Sequence, residues 1–124
     1  ERALALDFVH DLPEGFDAPI GEFGSRLSAG QRRRLALAGV LVRDPAVLLL
    51  DEPTADLDQN AEIALARSLK ALSAERTVLV VTHSRVLLQA ADGVIALRSD
   101  GRIRAAGPAQ EVLSKLSAAS VKQP

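Results

Sequence analysis

Apolar residues change their spacing several times along this chain, and each change marks an element. Leu4, Phe8 and Val9 fall at helical intervals within residues 1–11, which predicts a short helix. Residues 13–25 are rich in Gly and Pro and read as loop. From 30 to 43 the spacing is again helical, with Leu35, Ala38, Leu41 and Val42 on one face, until Asp44-Pro45 stops it. Val47-Leu48-Leu49-Leu50-Asp51 is a continuous apolar run ending in an acid, the pattern of a parallel strand buried on both faces. Asp58 can cap a helix over 59–74 that turns Ile63, Leu65, Leu69 and Leu72 inward. A second buried strand is predicted over 77–82, a short helix capped by Ser84 over 84–91, and a third strand over 93–97. Asp100-Gly101 is a hairpin turn into 102–106. A helix over 108–116 and a frayed tail over 117–124 close the chain.

Alternating helix and strand predicts an α/β fold in which helices cross over between parallel strands. In open parallel sheets ligands collect beyond the carboxyl ends of the strands. Asp51, Glu52 and His83 all lie at or just past such ends.

Composition narrows the picture mainly by exclusion. At 124 residues with 48% hydrophobic content, the chain is one domain or part of one, and is far from the disordered class. A formal charge of −1 gives no global field to recruit nucleic acid or anionic lipid. The lack of Cys excludes disulfides and thiolate metal sites. No apolar run approaches the roughly 20 residues that span a bilayer. The chain contains no Met and starts at Glu1, inside a predicted helix, so it is expected to be a C-terminal fragment of something longer.

Three places carry chemistry. Asp51 and Glu52 end an apolar strand together, and two carboxylates cannot both be buried unpaired. A solvated strand end is one reading; a division of labour, one acid on Mg²⁺ and the next on a water, is the other. Leu27-Ser28-Ala29-Gly30-Gln31 precedes a helix, and Ser28 with Gln31 fits a capping box. The same helix start, with a hydroxyl and unpaired backbone N–H groups, is also an anion site, and the two roles are compatible. His83 follows a strand end, where an imidazole can donate a hydrogen bond to developing negative charge, although a lone His is more often structural. Arg32-Arg33-Arg34 suggests nucleic acid, but Tyr and Trp are absent and only three Phe are present. Without stacking platforms, a solvated first turn is the better reading, and no nucleic-acid partner is expected.

At these motifs the chain resembles the C-terminal half of an ABC transporter nucleotide-binding domain, over about residues 12–107. Leu27-Ser28-Ala29-Gly30-Gln31 is similar to that family's L-S-G-G-Q signature. Asp51 and Glu52 correspond to the Walker B acid on Mg²⁺ and the catalytic glutamate, Ala55-Asp56-Leu57-Asp58 to the D-loop, and His83 to the switch histidine. The G-x-x-x-x-G-K-[ST] phosphate loop is absent from the sequence, so only part of an ATP site is present. The resemblance implies a P-loop NTPase sheet with a C-terminal hairpin, in which the strand ending at Thr82 lies between the Walker B strand and a phosphate-loop strand. It implies ATP and Mg²⁺ as cofactors and, as partners, a second nucleotide-binding domain, identical or not, and a transmembrane domain. Leu27, Ser28, Ala29, Gly30 and Gln31, with Asp58 of the D-loop, would then face the ATP of the opposing domain. Asp51 (on Mg²⁺), Glu52 and His83 would serve the chain's own ATP.

Residues 12–17 and 21–24 are similar to the L-P-x-G-[LY]-x-T-x-x-G-E-x-G segment of exporters, which makes Glu22 a candidate relay to the membrane domain. The S-A-G-Q-R-R-R form is similar to bacterial cysteine and glutathione exporters of cytochrome bd assembly. The implied location is the cytoplasmic face of the bacterial inner membrane. On this reading residues 1–29 end a helical subdomain, 30–116 form the catalytic portion and 117–124 a tail. The 124 residues by themselves are expected to be inactive. Two alternatives are a soluble ABC ATPase of the DNA-repair or chromosome type and a non-hydrolysing remnant module. Three departures stand out: Ala29 for a signature Gly, Phe23 where Arg is common, and Gly39 inside a helix, at a cost of about 1 kcal/mol relative to Ala.

Overall fold

The computed structural model describes residues 5–120 and divides into two compact units, Glu1–Thr82 and His83–Pro124. The predicted position of Leu4 and the last four residues of the predicted tail lie outside the described residues.

In the first unit, helix α1 (Leu6–His10) leads into two short 3-10 turns, Gly15–Asp17 and Glu22–Gly24, and then helix α2 (Ala29–Leu41). Strand β1 (Val47–Asp51), helix α3 (Gln59–Leu72) and strand β2 (Thr77–Val81) follow. The helix starts obey local capping chemistry. Ser28 accepts the Gln31 N–H at α2, and Asp58 accepts the Ala61 N–H at α3. One small core joins Phe8 and Val9 of α1 to Leu27, with Leu35 and Ala38 of α2 packed against it. On α3 the buried residues are Leu65, Ala66, Leu69 and Leu72, while Ile63 is only half-buried.

β1 and β2 pair in parallel, Leu48 opposite Val78 and Asp51 opposite Val81. This is the crossover geometry expected, but burial corrects the sequence reading. Side chains alternate across a sheet, and only the face carrying Leu48, 1% exposed, is covered. Val47, Leu49, Leu79 and Val81 on the opposite face are all exposed. An apolar run shows that both faces are suited to burial; what covers each face is decided by other elements. β2 bonds β1 along one edge and, among the described residues, has no strand along the other. Val42, predicted to face inward, is 86% exposed, because α2 has ended at Leu41 and the chain is turning toward Asp44.

The second unit holds helix α4 (Arg85–Ala90), strands β3 (Gly93–Leu97) and β4 (Ile103–Pro108), and helix α5 (Ala109–Ser120). β3 pairs antiparallel with β4 in a sheet of its own, so among the described residues the third strand belongs to the hairpin and does not extend the parallel pair. The turn is built as predicted. Gly101 has φ 79°, and Asp100 accepts the Arg102 N–H. Val94, Ala109 and Val112 form the core of this unit, with Leu88, Ala105 and Leu116 against it. α5 runs on through Ser120, beyond the predicted end at Leu116. Residues 117–120 extend a good helix-forming run, and nothing in them breaks it.

Candidate functional site

The site residues of the first unit sit on two neighbouring pieces, the start of α2 and the turn that follows β1. At the start of α2 the capping box is complete. The Gln31 N–H donates to Ser28 Oγ at 3.2 Å, and the Ser28 N–H donates to Gln31 Oε1 at 2.8 Å. A helix start has four N–H groups with no intrahelical acceptor. The box satisfies two of them, which leaves those of Ala29 and Gly30 as the donors available to an anion. Leu27 is buried and anchors the loop. Its carbonyl accepts the Arg32 guanidinium at 2.6 Å, which ties the loop to α2. Ala29 is the first helical residue of α2. There an L-residue has its normal backbone conformation, so the methyl group exacts no conformational penalty.

β1 stops because Glu52 adopts a left-handed backbone, φ 42°. Its N–H still bonds the Val81 carbonyl at 2.8 Å, but the chain then leaves the sheet. Asp51, the last residue of β1, is exposed. The Glu52 carboxylate accepts the Thr82 hydroxyl at 3.2 Å, so the second acid is oriented by the strand alongside. Two turns follow, closed by Ala55 N–H to the Glu52 carbonyl and Leu57 N–H to the Thr54 carbonyl, both at 3.1 Å. Thr54 is buried within them, and Asp56 is again left-handed at φ 64°. Asp58 then caps α3, accepting the Ala61 N–H at 2.9 Å.

Gly30 closes the gap between the two pieces. A methyl group there would lie 2.9 Å from Leu57 Cδ2 and 3.4 Å from the Asp56 carbonyl oxygen. Beside them, Arg33, Leu37, Leu48, Asp51, Pro53 and other residues of the unit line a cleft of about 220 Å³. Among the described residues no cluster of three or more His, Cys, Asp or Glu could hold a metal ion. A hard cation such as Mg²⁺ needs only one or two carboxylates when phosphates and water complete its shell, and exposed Asp51 at a strand end fits that role. His83 opens the second unit and is exposed, followed directly by Ser84, which caps α4 by accepting the Leu87 N–H at 3.1 Å.

The structure refines one part of the sequence reading. Arg32 and Arg33 are exposed, as a solvated turn requires, and Arg34 is half-buried, but each has a partner in the fold. Arg32 grips the Leu27 carbonyl, Arg33 reaches Ala55 and Asp56, and Arg34 lies 5.0 Å over the Phe8 ring. Sequence reasoning missed their partners because each lies off the helix. The only available signal was three consecutive arginines beside a candidate anion loop. It also missed Arg76, whose guanidinium donates to the Pro45 carbonyl at 3.3 Å and to Asp44 at 2.9 Å, holding the α2–β1 and α3–β2 loops together. Glu22, the candidate relay, is exposed in the second 3-10 turn, next to Phe23, which is 99% exposed at φ 50°.

Residues 5–55 match the family model "ABC transporter". The chain is 43% identical over 113 residues to the heterocyst differentiation ATP-binding protein HepA of Nostoc, covering 91% of this chain and 18% of that protein. It is 42% identical over 115 residues to the ATP-dependent lipid A-core flippase of Haemophilus influenzae, covering 93% and 19%. Among solved structures, a bacterial Atm1-family ABC exporter with ATP bound superposes with a TM-score of 0.80 at 32% identity, over 92% of this chain and 20% of that one. The chain thus spans about a fifth of the length of these relatives. With its motifs, its α/β fold and these likenesses in agreement, the chain belongs to the ABC transporter family, as part of an exporter-type nucleotide-binding domain.

Proposed function

We propose that this chain is the signature-loop and Walker B portion of the nucleotide-binding domain of a bacterial ABC exporter, which hydrolyses ATP to drive export. Residues 1–29 end the helical subdomain and 30–116 supply the catalytic portion, with α5 continuing through Ser120; the phosphate loop comes from another segment. The observation that carries this reading is the oriented carboxylate. Glu52 stands at the carboxyl end of a parallel strand, with its Oε2 accepting the Thr82 hydroxyl.

When bound, ATP supplies the phosphoanhydride bond that is cleaved, and Mg²⁺ offsets charge on its phosphates. Asp51 would hold Mg²⁺, directly or through water. Glu52 orients a water and takes its proton, a step worth about 10²–10⁴-fold in rate. His83 donates an imidazole N–H where negative charge grows. Ser28 and the Ala29 and Gly30 amides, with Leu27 and Gln31 shaping the loop and Asp58 nearby, face the nucleotide of a second nucleotide-binding domain, identical or not. A transmembrane domain completes the assembly at the cytoplasmic face of the inner membrane. The relatives named as an ATP-dependent flippase and an ATP-bound exporter support this reading. The S-A-G-Q-R-R-R form favours cysteine or glutathione as cargo. No helix among the described residues is long and apolar enough to cross a membrane, so cargo selection would lie in other segments.

The test is Glu52→Gln in the full protein, phosphate loop included. ATP binding is expected to persist while turnover falls at least ~100-fold, the lower bound for loss of a general base. Unaltered turnover would remove Glu52 from the role. The 124 residues alone should show no steady hydrolysis.

A further inference from the structure

One side chain ties the signature helix to the D-loop. Arg33, the fifth residue of α2, donates from Nη1 to Asp56 Oδ2 at 2.6 Å and to the carbonyl of Ala55. Its partners sit at the bend in that turn. Asp56 is left-handed at φ 64°, a conformation that Asp tolerates better than most L-residues but that local hydrogen bonds must still favour. The guanidinium bonds the carbonyl of the peptide that precedes Asp56 and the carboxylate of Asp56 itself. Alongside, Gly30 packs against the Leu57 side chain, which would have to move aside for an added methyl group.

We propose that Arg33 is a positioning residue: it holds the 55–58 turn in register with the start of α2, so that Ser28, Gly30 and Asp58 present one preformed surface to the opposing nucleotide. This rests on the ATPase reading above. Global stability is not its main contribution. The two side chains are 41% and 61% exposed, and ion pairs that open to solvent contribute little to folding. Geometry is what one nitrogen shared between two acceptors of the same turn adds, and small displacements of reacting groups are costly in rate.

The experiment compares Arg33→Ala, Asp56→Ala, the double variant and Arg33→Lys in the full protein. Each alanine variant should lower kcat for ATP hydrolysis about 10-fold with KM for ATP within about 2-fold, a loss confined to the transition state. The double variant should lose no more than either single one, the mark of a shared interaction. Lysine, whose ammonium lacks the planar, pre-organised guanidinium that sets the Nη1 position, should restore less than half of the lost rate. The melting temperature should move by no more than about 2 °C. Full activity in Arg33→Ala, or losses that multiply in the double variant, would overturn the proposal. Glu52→Gln is run beside these variants. If the wild-type protein shows no turnover that Glu52→Gln could lower, the ATPase reading fails by itself, and the positioning role is then read from amide exchange. Exchange at Ala55–Leu57 should quicken about 10-fold in Arg33→Ala; unchanged protection there would overturn the positioning role regardless of turnover.

Discussion

Thr82 donates its hydroxyl to Glu52 across the end of the parallel pair, Oγ1 to Oε2 at 3.2 Å. The bond aims a carboxylate whose own backbone has already turned out of the sheet at φ 42°. Thr82→Val keeps the β-branched shape that the strand end favours and removes only the donor. Hydrogen bonds to charged groups contribute about 1.5–3 kcal/mol, so kcat for ATP hydrolysis should fall roughly 10-fold or more. Thr82→Ser, which retains the hydroxyl, should recover most of the rate. Steady-state kinetics on the two variants checks this directly.

Two glycines on one helix should respond oppositely to the same substitution. At Gly30 the added methyl meets Leu57 Cδ2 at 2.9 Å and the Asp56 carbonyl oxygen at 3.4 Å, so the Leu57 side chain must give way. Gly30→Ala is expected to destabilise the domain by about 1–3 kcal/mol, the usual range for overpacking, and to depress turnover. At Gly39 nothing lies within 4 Å of the added methyl. Gly39→Ala should stabilise by up to about 1 kcal/mol through helix propensity alone. Denaturant midpoints of the pair supply the comparison; equal shifts would refute the packing argument.

Arg76 should matter more than its place between two loops suggests. Its side chain is 7% exposed and donates to Asp44 and to the Pro45 carbonyl. Arg76→Ala leaves both acceptors without their donor, and a loss of about 2 kcal/mol is expected. Asp44→Ala removes an exposed acceptor and should cost about 1 kcal/mol or less. Chemical denaturation of both variants would show whether the larger effect falls on the arginine.

What could be read from sequence was whatever local chemistry decides. Ser28, Asp58 and Ser84 cap the helices they were expected to cap, because a cap is settled within three residues. Asp100-Gly101 makes its turn for the same reason. Partners far along the chain were not legible. Arg33 lies 23 residues from Asp56, and Arg76 lies 32 from Asp44. Charge patterning in one segment says nothing about which distant backbone will bend to meet it. Burial of β1 failed in a related way: Leu49 and Leu48 are the same residue type, yet one faces out and the other in. The candidate site was legible as a set of residues. The hydrogen bond that aims Glu52 and the ion pair that ties Arg33 to Asp56 emerged only from the fold.

The uncovered face of Val47, Leu49, Leu79 and Val81 also governs how this stretch of polypeptide behaves in isolation. A parallel ribbon with one dry side and an open edge is adhesive, since both the apolar surface and the unpaired backbone groups gain by meeting another strand. Produced by itself at high concentration, the stretch would self-associate through that ribbon, and its yield would be set by solubility before any activity could be assayed. Lysine or glutamate at Leu49 and Leu79 would keep it dispersed, at the expense of the surface that any covering segment needs.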